Sequence, residues 1–353
     1  MKPVGLAVPD APQAWILWRR RKGDLDQMLA LVETLGWPYT IKTLSFRSPD
    51  VPVLAPLLLK RKSDPLSPPW PDVVICAEAL PSIIARHLRK RSGGRIKTIC
   101  LARPAGTPAA FDLVITTAQY RLPPAANILE LAMPLSSGSS IQASASGDRA
   151  TPRIAVAVGG PSFPDRLDNA VARDMAVALA AYAAGKRAQL DVVTSPRTDG
   201  AIADSLKAAL PAPHRLHVFR QGADNPYRRL LAEASEIVVT SDSVSMVADA
   251  LETGKPVSIY RLPQKRNMQW RITEWLYRNA VLAPSPWLKP LTWAFDIGLF
   301  EAAADRHLLF ERLAAERRLS WFCGEPPVPQ PEATARDLAQ AADRAKALIT
   351  SRH

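Results

Sequence analysis

Strand-like and helix-like segments alternate twice along the 353 residues, separated by one Ser/Gly-rich stretch; this predicts an α/β protein of two doubly wound domains with parallel sheets. Two further observations agree. Apolar residues make up 47% and charged residues 22%, as in a chain that buries a sizeable core. The length suits two domains of roughly 100 to 200 residues each. The expected division is a first domain over 1–135, a flexible linker over 136–150 containing SSGSSIQASASGDR, a second domain over 151–322, and a Pro-rich segment with a terminal helix over 323–353.

The elements follow in order. Ala14 to Trp18 is a continuous apolar run, read as a buried strand. Asp24 is placed to cap a helix in which Leu25, Met28, Leu29, Val32 and Leu35 recur at helical spacing until Gly36 and Pro38 stop it. Tyr39 to Phe46 alternates as a strand. After the Pro-rich loop SDPLSPPWP come strand Asp72 to Ala77, helix Pro81 to Arg91, and strands Ile96 to Leu101 and Asp112 to Thr116. Beyond the linker, strands are expected at Arg153–Val158, Leu190–Thr194, Arg215–Phe219, Glu236–Thr240 and Pro256–Arg261. Helices are expected between them at Asp165–Ala184, Ala201–Leu210, Pro226–Ala234 and Ser243–Thr253, and the remainder from Asn267 reads as mostly helical.

No apolar run approaches the roughly 20 residues that cross a bilayer. The N-terminus places its basic residues after the short apolar stretch, the reverse of a secretory signal. Cys76, Cys100 and Cys323 are odd in number and lack metal-ligand spacing, so no structural metal is expected and a reducing cytoplasm fits best. The net charge of +12 is uneven: residues 1–150 hold 19 Lys and Arg against 11 Asp and Glu, the rest 26 against 22. The surplus comes in runs, Arg19 to Lys22, Lys60 to Lys62 and RHLRKRSGGR from Arg86 to Arg95, which suit an anionic lipid or a phosphorylated substrate, or are simply a solvated face. They lack the interleaved aromatics of a nucleic-acid-reading surface, so no specific nucleic-acid partner is expected.

Ligands of doubly wound sheets bind where strands end and helices begin, because loop amides and helix N-termini there present unpaired N–H groups. Three junctions of the second domain carry suggestive residues. IAVAVGGPS places Gly159 and Gly160 for close approach to a phosphate, with the Ser162 hydroxyl beside them; a ligand-free tight turn is the competing reading. VVTSPRTD puts Ser195 and Arg197 past a strand end, where a guanidinium can fork onto a phosphate or be solvated in a plain turn. TSDSVS supplies Thr240, Ser241, Asp242, Ser243 and Ser245, more hydroxyl and carboxylate groups than an N-cap requires. Asp249 lies further along the same helix, either facing solvent or accepting hydrogen bonds from a ribose. Gly254 in ETGKPV ends a helix, and the segment lacks phosphate-loop spacing.

GADNPYRRLLAEASEIVVTSDSVSMVADALETGKPV (222–257) resembles the corresponding block of the mitochondrial fission ELM family, and RKGDLDQMLALVETLGWP, PDVVICA, FDLVITTAQYRLP, VAVGGPS and TSPRTD resemble further blocks. The resemblance implies two Rossmann-like domains facing across a cleft, the GT-B glycosyltransferase arrangement. It implies a C-terminal domain that binds a nucleoside diphosphate sugar as substrate, with no cofactor. The implied donor contacts are Gly159, Gly160, Ser162, Thr240, Ser241, Asp242, Ser243, Ser245 and, on the ribose, Asp249, where the family more usually has Glu. Gly23, Asp24 and Gln27 would face an acceptor, and Asp24 is the candidate catalytic carboxylate, although helix capping also explains it. This chain departs from the family where a Gly-rich basic loop is replaced by Ala77, Glu78 and Ala79, and where a His is replaced within AMPLSSGS (132–139). His87, inside a basic helix, reads as a surface residue.

Two functions follow as expectations. The first is metal-independent transfer of a sugar to a phosphorylated or lipid-linked acceptor, with Arg197 and helix N-termini stabilising the leaving diphosphate. The second is a non-catalytic binding or recruiting protein, the role the resemblance implies from plant members. The aromatic-rich tail with Trp270, Trp275, Trp287, Trp293, Phe295, Phe300, Trp321 and Phe322 is expected to pack the C-terminal helices, with peripheral contact at the inner membrane as the alternative.

Overall fold

The computed structural model describes residues 11–47, 59–136, 151–283, 285–300, 302–328 and 333–350. Much of the linker expected at 136–150 lies outside them. The chain forms two compact units, one from described residues within 1–138, 268–305 and 334–353, the other from those within 139–267 and 306–333.

The first unit holds a six-stranded parallel sheet of β1 (Ala14–Trp18), β2 (Tyr39–Thr43), β3 (Val73–Ala77), β4 (Lys97–Leu101), β5 (Leu113–Thr117) and β6 (Ile128–Leu131), in the order β2-β1-β3-β4-β5-β6. Alternate side chains of one strand leave by opposite faces. Ile16, Ile75, Ile99 and Ile115 join Met28, Leu31 and Leu35 of helix α1 (Lys22–Leu35) on one side. Leu17, Val74, Cys76 and Val114 join Leu80, Ile84 and Leu88 of α2 (Ala79–Arg91) on the other. Each such fully buried aliphatic side chain contributes on the order of 1.5–3 kcal/mol of transfer free energy. Gly36 ends α1 with φ 68°, where a side chain would be strained.

The second unit repeats the plan with β7 (Arg153–Val158), β8 (Gln189–Thr194), β9 (Arg215–His217), β10 (Glu236–Thr240), β11 (Val257–Tyr260) and β12 (Ser320–Trp321), ordered β12-β11-β10-β7-β8-β9 and parallel. Ile154, Val156 and Val158 pack on Val171, Met175 and Leu179 of α3 (Asn169–Gly185) and on Ile202 and Leu206 of α4 (Gly200–Ala209). Helices α5 (Tyr227–Glu233) and α6 (Val244–Glu252) complete the alternation. β6 and β12 carry too little pattern to stand out in the sequence and are additions to it.

Tertiary packing redraws the expected division. Residues 268–305, assigned above to the second domain, group with the first unit, and so does the terminal helix. The Arg121 guanidinium clamps Glu274, and the Tyr277 hydroxyl donates to the Arg121 carbonyl at 2.9 Å. These hold α7 (Met268–Tyr277), which precedes the short α8 (Thr292–Asp296); α9 (Arg306–Ala315) follows in the second unit. Ala341, Ala342 and Ala345 of the terminal α10 (Ala333–Thr350) are buried in the core beside α1. Small side chains on one stripe allow that close approach.

The expectation that the tail's aromatics pack inward holds for only part of it. Trp270 and Phe295 are buried, and the Phe322 ring packs tilted against Tyr182 and Tyr260 with centroids at 4.9 and 5.4 Å. Trp275, Trp287 and Trp293 are 55%, 90% and 61% exposed. The basic run at 86–95 is partly tied down: Arg89 pairs with Asp112 at 3.2 Å and Arg91 lies 5.5 Å over the Trp70 ring. His87 is exposed, as read. Among the described residues no helix is long and apolar enough to cross a membrane.

Candidate functional site

In both sheets the strand order reverses at one point, between β7 and β10 in the second unit and between β1 and β3 in the first. Crevices beyond the carboxyl ends of strands at such points are where doubly wound sheets take ligands. The suggestive loops of the sequence stand at these two places.

In the second unit the loops after β7, β8 and β10 form one hydrogen-bonded network. The Gly159 amide donates to Thr240 Oγ1 at 2.8 Å and the Gly160 amide to Asp242 Oδ2 at 3.0 Å. The Thr240 hydroxyl donates to Asp242 Oδ1 at 2.6 Å, and Arg197 Nη2 reaches Asp242 Oδ2 at 2.8 Å. The Asp242 carboxylate is fully buried, whereas the Arg197 side chain is 42% exposed. Ser195 Oγ accepts from the Arg197 amide at 3.2 Å, and Ser241 Oγ accepts from the Leu262 amide at 3.0 Å. Thr198, which sequence reading passed over, receives the Ser195 amide at 3.0 Å and donates to the Gly159 carbonyl.

The network gives the glycine pair a job inside the protein. A Cβ on Gly159 would fall on the Asp242 carboxylate, and one on Gly160 on the Arg197 backbone carbonyl. Both amides are already donated, to Thr240 and Asp242. Gly160→Ala is therefore expected to cost about 1–3 kcal/mol of stability without any ligand, because backbone cannot yield as a flexible side chain does. Thermal unfolding of the ligand-free protein checks this; an unchanged midpoint would mean that the glycine serves only a ligand.

At the start of α6, Ser243 is buried and Ser245 is exposed. Ser243 occupies the N-cap position with extended backbone but makes no side-chain cap bond; its hydroxyl lies 3.4 Å from that of Ser245, which is exposed. The helix start thus keeps its partial positive charge for an anion. Asp249, further along the helix, is half-buried and accepts from the Tyr227 hydroxyl at 3.0 Å, so it is not a plain solvent-facing charge. Burial, and then the Asp249 charge, push the Tyr227 phenol well above its usual range, which keeps it a donor. Ser162 turns toward α9: Arg306 Nη2 donates to its carbonyl at 2.7 Å and to Asp165 Oδ2 at 2.9 Å. Burial raises the Asp165 pKa, but hydrogen bonds from His307 and Arg306 outweigh it and leave the carboxyl below its usual range. Tyr227, Asp165 and Arg306 carried no local signal; their role depends on which loops meet.

In the first unit, Asp24 lies in the first turn of α1, two residues inside the helix start, and not at the cap. The expected cap is corrected: the helix begins at Lys22 after the extended Arg21, which makes no side-chain cap. Burial, then the nearby Glu78 charge, raise the Asp24 carboxyl to about 7, with Arg21 opposing. Glu78, the departure at the end of β3, pairs with Arg21 and adopts φ 63°, the left-handed region that favours glycine. Tyr120 is pushed upward by burial and then by Glu78 and Asp24, so these three groups share one electrostatic environment. Gly23 is exposed with open space on its Cα, and Gln27 donates to its carbonyl at 3.4 Å. Among the described residues no three His, Cys, Asp or Glu side chains are grouped to hold a metal ion.

Two six-stranded parallel sheets, each with one switch point, give the chain the two-Rossmann-domain fold of GT-B glycosyltransferases. The kitacinnamycin glycotransferase structure matches at a TM-score of 0.50 with 13% identity, covering 96% of this chain and 94% of that one. The calicheamicin glycosyltransferase CalG4 matches at 0.49 with 13% identity, over 97% and 99%. The UDP-GlcNAc 2-epimerase from Neisseria meningitidis, solved with UDP-GlcNAc, matches at 0.45 with 9% identity, over 96% and 99%. Residues 22–317 match the mitochondrial fission ELM1 family, and the chain belongs to that family. Comparison with curated protein sequences returns no match.

Proposed function

We propose that the second unit binds a nucleoside diphosphate sugar and that the chain transfers the sugar to a phosphate-bearing or lipid-linked acceptor received by the first unit. The observation that carries this reading is the α6 N-terminus, which makes no side-chain cap at Ser243, lies at the β7/β10 switch point and is flanked by the half-exposed Arg197. The helix amides, Ser243, Ser245 and Arg197 suit a diphosphate; Asp249, already oriented by Tyr227, suits the two hydroxyls of a ribose.

In the transfer, the acceptor hydroxyl oxygen bonds to the anomeric carbon as the bond from that carbon to the diphosphate breaks. The electron pair leaves with the diphosphate, where the helix N-terminus and Arg197 stabilise the growing charge. The acceptor proton passes to a base, and Asp24, with its pKa near 7, is matched to that task at neutral pH. Contact with a membrane would bring a lipid-linked acceptor within reach.

Calorimetry with nucleoside diphosphates and their sugars tests the donor site. Asp249→Ala is expected to weaken nucleoside diphosphate binding by about 10- to 100-fold, the worth of a hydrogen-bonded charge. Tyr227→Phe, which leaves the carboxylate in place, should cost far less. Equal binding by wild type and Asp249→Ala removes Asp249 from the site. Binding without donor consumption, over a panel of lipid-linked and phosphorylated acceptors, would favour a binding or recruiting protein over a transferase.

A further inference from the structure

Helix α7 is apolar on two opposite faces. Its inward face carries Trp270 and Tyr277, seven residues apart and both buried. The ring of Tyr277 lies under Arg103 at 4.5 Å, and the Arg121 clamp on Glu274 fixes the helix rotation. That rotation turns Met268, Ile272 and Trp275, at i, i+4 and i+7, outward, and all three are exposed. A helix on the surface of a globular domain normally turns polar residues to water.

The apolar surface continues past the helix. Trp287, Leu291 and Trp293 are exposed in the following segment, which is held in shape by a small core of Tyr277, Ala280, Phe295 and Ala302. Three tryptophans, one of them 90% exposed, lie within nineteen residues. Isolated exposed apolar residues need no explanation, but a run of large ones in one segment marks a surface that something covers.

The charges around it indicate what. Arg271 and Arg278 flank the outward face of α7 on one side, and Lys289 stands between Trp287 and Trp293; all three are exposed. Asp296 is an exposed carboxylate at the far end of this segment, while Glu274 is engaged by Arg121. Tryptophan with flanking Lys and Arg is the composition of an element lying at the headgroup level of an anionic bilayer.

We propose that residues 268–283 and 285–300 form the membrane-docking surface of this protein, with the outward face of α7 and the tryptophans Trp287 and Trp293 seated among the headgroups of an anionic lipid leaflet. The inference deepens the lipid-linked-acceptor part of the proposed function and rests on it only for its purpose, since the surface includes none of the α6 nucleotide residues.

The full-length chain is tested by co-sedimentation with vesicles of phosphatidylglycerol and phosphatidylethanolamine against vesicles of phosphatidylcholine, with tryptophan emission followed in parallel. Wild type is expected to bind the anionic vesicles, to shift its emission to the blue and to be quenched by brominated acyl chains. The triple variant Trp275→Ala, Trp287→Ala, Trp293→Ala should lose at least about tenfold in partitioning, and Arg271→Gln with Arg278→Gln and Lys289→Gln about fivefold per cation at low salt. An unaltered thermal unfolding midpoint in both variants shows that they fold. Vesicle binding that survives the triple tryptophan change overturns the proposal. So does a wild type that ignores vesicles but dimerises, with the tryptophan variant monomeric, because the face is then an interface between copies. Vesicle binding without nucleotide binding sinks the donor-site reading alone, and the converse sinks this one alone.

Discussion

Asp242→Ala is expected to lower the free energy of unfolding by about 3 kcal/mol, among the largest effects of any single side chain in the second unit. The carboxylate is fully buried and accepts from the Gly160 amide, the Thr240 hydroxyl and Arg197. Its removal leaves a buried amide and a buried hydroxyl without their acceptor, each costing about 1–3 kcal/mol. The Arg197 charge contributes less to the loss, because its half-exposed guanidinium can turn to water. Asp242→Asn separates shape from charge: it keeps the volume, can accept at one oxygen only, and should fall between wild type and alanine. Urea unfolding of the three proteins decides the matter. A loss below about 1 kcal/mol in the alanine variant would show that the three loops are held by something other than this carboxylate.

Asp24→Asn is expected to act in the opposite direction on stability, with a gain that grows as pH rises from about 4 and levels off above about 7. The carboxyl titrates near 7 in the fold against 3.8 as its ordinary value, so the folded protein holds this proton more tightly than the unfolded chain. The stability this provides is fully present below 3.8 and is lost as pH rises through about 7, where burying a charge becomes a cost. At 1.36 kcal/mol per pH unit, the gap caps the gain in the asparagine variant at about 4 kcal/mol at pH 8, falling to nothing near pH 4. A flat difference between the two proteins from pH 4 to 8 would mean that Asp24 titrates normally. Glu78→Gln should move the midpoint of the pH dependence downward, since it removes the neighbouring charge. With an acceptor in hand, the rate should rise through the same pH range and fall about 100- to 10,000-fold in Asp24→Asn if that carboxylate is the base.

The strands β1, β7 and β10 have the bounds the sequence led one to expect, because each is built on an apolar run and a parallel strand covered on both faces needs one. Local chemistry also made the TSDS junction conspicuous, since four capping-type residues in a row exceed what one helix start can use. It could not say which way they point. Thr240, Ser241 and Asp242 turn inward and bind the loops after β7 and β11, Ser243 is buried with its hydroxyl 3.4 Å from that of Ser245, and Ser245 is exposed.

What the sequence by itself determined is the alternation of elements, the parallel class of both sheets and the loops at which chemistry is expected, all consequences of spacing along the chain. Tertiary structure alone decided the strand order that places those loops at two switch points and the return of residues 268–305 and of α10 to the first unit. It also decided the pairing of Asp24 with Glu78's field and the outward turn of Trp275. The reason is the same in each case: a side chain's solvent, charge neighbours and partners come from residues tens to hundreds of positions away, and no local pattern encodes which of them arrive.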